Sequence, residues 1–161
     1  MSGLRTALAV SSILAMVLLP VLAAPVLAAR TYTWTLDCKG ASGILAGDGS
    51  ANVRWDWMQD GQVIAGAGGG ASCFGTMTVS GGGDRPANAN GFTATLSVIV
   101  CSSVECNSNS DSVTRSFDPA GSFKATLSSS VSVVVGLSPG YDCLHRCHFK
   151  AGESAMFTLK S

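Results

Sequence analysis

Charge is scarce in this sequence. Of 161 residues, 12% are Asp, Glu, Lys or Arg, ten of each sign, and the formal net charge is zero. No run of like charge occurs, which argues against nucleic acid as a partner, since that demands clustered Lys and Arg. Histidine is nearly absent: His145 and His148 are the two in the chain, and they share one Cys-rich stretch. A Ser–His–Asp relay needs a histidine oriented by a buried carboxylate, and no Gly-x-Ser-x-Gly elbow accompanies them. No Asn-x-Ser/Thr sequon is present, so N-glycosylation of that type is not expected. Beyond the N-terminal segment, nothing carries the 3.6-residue periodicity of a helix. The chain therefore reads as a non-enzyme, with no catalytic residue and no cofactor assigned.

What is present begins with an apolar leader. Arg5 is the lone charge among the first ten residues, and Leu8 to Ala29 carries none. A basic start, an apolar middle and a small-residue end make a secretory signal peptide. Val26-Leu27-Ala28 fits the cleavage pattern, so residues 1–28 are expected to be removed (or 1–29), leaving one domain, 29–161. The competing reading is a retained anchor, since a span needs roughly 20 apolar residues. With cleavage, no membrane attachment remains. The product is secreted to the extracellular space or cell surface.

All six cysteines follow the leader: Cys38, Cys73, Cys101, Cys106, Cys143 and Cys147. An even number behind a signal peptide reads as a disulfide framework. The preferred pairing is Cys38–Cys73, Cys101–Cys106 and Cys143–Cys147.

Two-residue alternation dominates from residue 31. Tyr32, Trp34 and Leu36 oppose Thr31, Thr33 and Thr35, and Val53, Trp55 and Trp57 oppose Asn52, Arg54 and Asp56. These are half-buried strands. Asp60-Gly61 is a two-residue hairpin turn, and Asp118-Pro119-Ala120-Gly121 has the residue order of a β-turn. Further strands are expected at 73–79, 92–100, 113–117, 123–127, 131–135 and 155–159. Residues 67–71, 80–90 and 102–111 read as connections. The fold class is all-β, an antiparallel sandwich of immunoglobulin-like or jelly-roll type with about 8–9 short strands. A small barrel is the alternative.

Several features bear on function. Cys143, His145, Cys147 and His148 form a candidate metal set, because two thiolates and two imidazoles complete a zinc tetrahedron. Cys143-x-x-x-Cys147-His148 is also one residue longer than a c-type haem motif. The bland reading is a short disulfide loop with solvated histidines. Trp34, Trp55 and Trp57 are candidate ligand-binding residues if their faces stack on a sugar. Their shared parity with Tyr32 and Leu36 favours the core instead. The Thr-x-Thr repeats suit a hydroxyl-bearing outer face. Oxygen donors alternate at Asp48-Gly49-Ser50 and from Asn107 to Asp111, a weak calcium pattern. Asp48 and Asp56 are the nearest carboxylates for a hydrolase. Ser128 to Gly136 lacks charge and proline, so nothing in it blocks pairing at a sheet edge. Val133-Val134-Val135, apolar on both faces, favours a central position. The leading expectation is a secreted or surface structural or binding domain of envelope, filament or adhesion type. Its partner is a surface glycan, a protein, or a second copy through an edge strand. The alternatives are an extracellular haem- or metal-binding redox protein and a secreted hydrolase using carboxylates.

Overall fold

Alternation shapes the first strands as the pattern requires. Tyr32, Leu36 and Cys38 are buried while Thr31, Thr33 and Lys39 face solvent. In the next strand Ala51, Val53, Trp55 and Trp57 are buried between exposed Asn52 and Arg54 and half-buried Asp56. The computed structural model describes residues 30–40, 48–102, 105–136 and 148–161. These form eight strands: β1 (Arg30–Lys39), β2 (Asp48–Gln59), β3 (Gln62–Ser72), β4 (Thr76–Arg85), β5 (Gly91–Cys101), β6 (Cys106–Ser116), β7 (Lys124–Gly136) and β8 (His148–Lys160). Sheet A has the order β4-β1-β8-β7 and sheet B the order β3-β2-β5-β6, with antiparallel pairing throughout. The chain is the antiparallel sandwich that the alternation implies. Its first two strands lie in opposite sheets, whereas an immunoglobulin domain pairs them in one. No helix among the described residues is long and apolar enough to cross a membrane.

The core is aromatic. Trp55 stacks on Phe157 at 5.7 Å and meets Tyr32 edge-on at 5.7 Å, so it joins the two sheets. Trp57 meets Phe92, Phe117 and Phe123 at 5.9, 6.4 and 5.7 Å. Such rings supply much of the burial energy of a small domain, and truncating one to Ala costs about 3–5 kcal/mol. The Asp60-Gly61 turn forms as expected, with both residues at positive φ (50° and 83°). The turn at Asp118 forms too, closed by Gly121 N donating to the Asp118 carbonyl at 2.7 Å. The disulfides Cys38–Cys73 and Cys101–Cys106 join the expected partners, with Cα separations of 5.6 and 4.0 Å. Cys143 and Cys147 lie outside the described residues, as do residues 1–28.

The connections differ from the sequence reading. Residues 67–71 belong to β3, and Ser80 to Arg85 belong to β4. Both stretches are glycine-rich, which weakens a strand unless something must approach closely. Here the Trp34 indole does. A Cβ on Gly69 would lie 2.7 Å from its ring, and one on Gly81 would lie 2.7 Å from its Nε1. From Cys106 onward the polar segment is β6 rather than a loop. Residues 124–127 and 131–135 fall in one strand, β7, so the described residues hold eight strands.

The central position favoured for Ser128–Gly136 is also corrected: β7 is the margin of sheet A. Side chains of β6 cover that margin. Asn107 Nδ2 donates to the Ser132 carbonyl at 2.9 Å and Asn109 Nδ2 to the Ser130 carbonyl at 3.0 Å. The Ser128 amide donates to Asp111 at 3.1 Å. The alternate oxygen donors that suggested calcium thus close a seam between the sheets. Trp34 fills the opposite seam, between β3 and β4.

Candidate functional site

The outer face of sheet A follows from strand parity. With Leu36 and Cys38 committed to the core, Asp37 and Lys39 must point outward. Pairing sets their neighbours: Asp37 lies between Thr78 and Met156, and Lys39 between Thr76 and Ser154. One strand further, Met156 is opposite Ser128 and Ser154 opposite Ser130. A shallow depression of about 460 Å³ lies over this patch, lined by Asp37, Lys39, Thr76, Asn109, Ser128, Ser130, Ser154 and Met156. Asp37 accepts a hydrogen bond from Thr78 Oγ1 at 2.7 Å, which orients the carboxylate. Met156 is 46% exposed and gives the floor an apolar centre. The patch combines an anionic acceptor, a cationic donor and several hydroxyls around one flexible thioether. Its side chains offer hydrogen-bond donors, acceptors and one apolar contact. The neighbouring row across the sheet reads Ser80, Thr35, Thr158, Thr126 and extends the hydroxyl surface.

The sequence candidates are scattered. Trp55 and Trp57 are 1% and 2% exposed and present no face to solvent, while Trp34 is half-buried in its glycine slot. Asp56 sits on the outer face of sheet B and pairs with Arg54 at 3.1 Å. Such an exposed pair contributes about 0–1 kcal/mol. Cys143, His145 and Cys147 lie outside the described residues. His148 begins β8, its side chain outside them. Among the described residues no group of three His, Cys, Asp or Glu gathers to hold a metal.

Two buried charged groups escaped the sequence reading. Arg85 is 3% exposed and donates through Nη2 to the carbonyls of Pro119 (2.6 Å) and Gly121 (3.3 Å). Its guanidinium lies 4.7 Å from the Phe117 ring centre and 5.7 Å from that of Phe123. Burial, and then the neighbouring Arg30, lower its pKa. It fastens the 117–123 connection to sheet A. Glu153 is also 3% exposed, and neither carboxyl oxygen has a hydrogen-bond partner. Its carboxyl occupies the space that a side chain at Gly49 would fill, 1.6 Å from that Cβ position. Burial pushes its pKa up from 4.5 to about 7. The signal was legible: Glu153 shares the parity of Ala155, Phe157 and Leu159, all buried.

Comparison with known protein families, with curated proteins and with solved structures finds no match to this chain. The site therefore stands on its own chemistry.

Proposed function

We propose that this chain is an extracellular, non-enzymatic binding module of adhesion or envelope type, taking a surface glycan on the outer face of sheet A. The observation that carries the reading is the depression around Met156, where Asp37, Lys39 and serine and threonine side chains converge. A sugar offers hydroxyls that donate and accept, and C–H faces that prefer an apolar contact. This patch offers the complement of each. The two disulfides among the described residues support an oxidising compartment, and residues 1–28 have the composition of an export signal. The small-residue, nearly uncharged surface suits a domain that persists outside the cell.

The test is a glycan array probed with the disulfide-intact domain, followed by titration of any hit against Asp37→Ala and Met156→Asp. Both positions lie on the solvent side of sheet A, so the fold is retained. A loss of at least tenfold, or 1.4 kcal/mol, is expected for each. Absence of any glycan ligand, or binding indifferent to both substitutions, overturns the reading.

A further inference from the structure

Four strands stand at sheet margins: β3, β4, β6 and β7. A margin presents unpaired N–H and C=O groups, and stable monomers protect them with charge, proline, bulges or cover. The β6 and β7 margins are closed by Asn107, Asn109 and Asp111, as described above. β4 carries Asp84 and Arg85. β3 differs from all three. Its eleven residues, Gln62 to Ser72, contain no charge and no proline. Among the described residues, the backbone–backbone hydrogen bonds of β3 go to β2. A register shift opposite Trp57/Met58 leaves Ile64 as the extra residue, so a regular ladder is available from Ala65 to Ala71.

We propose that β3 pairs antiparallel with the β3 of a second copy of this chain, about a two-fold axis at Gly68, joining two B sheets into one. The sequence is self-complementary about that point. Ala65 falls opposite Ala71, Gly66 opposite Gly70, and Ala67 opposite Gly69, so small residues meet small residues and no like charges meet.

The second argument comes from exposed apolar side chains. Val63 is 62% exposed, Ile64 38% and Phe74 65%. They lie at the two ends of β3. The same two-fold axis brings the N-terminal end of one β3, with Val63 and Ile64, alongside the C-terminal end of the other, which Phe74 follows. Each pairing buries two such clusters. Three separately unexplained exposures thus become one contact, made twice by symmetry. An interface of one strand pair and a few side chains is small beside the 1,200–2,000 Å² of a stable complex. The dimer is therefore reversible and concentration-dependent. Val63 and Phe74 do not line the depression on sheet A, so this inference is independent of the glycan reading.

Sedimentation velocity over a hundredfold concentration range tests it, with hydrogen exchange at both extremes. The expected result is a monomer–dimer equilibrium, with amides 65–71 exchanging more slowly at high concentration. Val63→Lys or Phe74→Glu alone should weaken dimerisation at least tenfold. The double variant should recover affinity, because the axis sets the introduced lysine beside the other copy's glutamate. Both sites are exposed, and circular dichroism confirms that each variant is folded. A monomer at every concentration overturns the proposal. So does a dimer that ignores these substitutions, or protection that appears elsewhere.

Discussion

Replacing Glu153 tests the link between burial and charge most directly. The carboxyl is buried without a partner, and its pKa rises from 4.5 to about 7 on folding. The sign follows from proton binding. Below pH 4.5 the group is protonated in both states and the fold keeps its full stability. Between 4.5 and 7 the unfolded chain releases a proton that the folded chain retains, so stability falls as pH rises. Above 7 both states are ionised and the loss is complete. At 1.36 kcal/mol per pKa unit, the ceiling is about 3 kcal/mol. The carboxyl lies near the end of the sandwich, beside a surface depression lined by Lys39, Ser132 and Gly152, and solvent screening there trims this to about 1–2 kcal/mol. Glu153→Gln keeps the shape and removes the titration. Urea midpoints of both proteins from pH 4 to 9 should converge at the acid end and diverge through neutrality, with the variant more stable. Subtracting the two curves cancels the contribution of every other titrating group. Parallel curves would show that the side chain reaches water in the folded state, and the argument from burial would fail.

Other perturbations address the framework. Removing Cys38–Cys73 by paired alanines should cost about 3–4 kcal/mol, and removing Cys101–Cys106 about 2 kcal/mol, because loop-closure entropy grows with loop length and the separations are 35 and 5 residues. Denaturant midpoints of the unreduced proteins check the order. Gly81→Val should displace the Trp34 indole, costing about 1–3 kcal/mol as overpacking does, with a red-shifted fluorescence maximum as the readout. Asn107→Ala with Asn109→Ala should uncover the Ser130 and Ser132 carbonyls of β7. The double variant is expected to aggregate faster than the parent in light scattering at matched concentration, and an unchanged rate would mean that the margin is protected by something else.

Whatever depended on side-chain parity was legible in the sequence. Trp55, Trp57, Phe92, Leu96, Phe157 and Leu159 alternate with less buried neighbours and are themselves buried. Asp60-Gly61 and Asp118 to Gly121 specify their turns through local backbone preferences. Both cysteine pairs in the described residues follow the simplest spacing. The failures share one cause. Glycine and asparagine are weak local signals for strand, so Ala67–Ala71, Ser80–Arg85 and Cys106–Asp111 read as connections. Their strand character comes from partners distant in sequence. Gly69 and Gly81 are needed because Trp34 projects between them, and Asn107 and Asn109 because the carbonyls of β7 lie within reach. Ser128–Gly136 was misplaced for a related reason: an apolar, uncharged run is compatible with either a central strand or a margin covered by another segment, and that cover lies on β6. The outer-face patch of sheet A was half-visible, since Thr-x-Thr repeats foretell a hydroxyl face. The convergence of Asp37, Lys39, Ser130 and Met156 required the pairing of β1 with β8 and of β8 with β7. Those contacts span more than a hundred residues between β1 and β8, and alternation along a single strand carries no information about its neighbours.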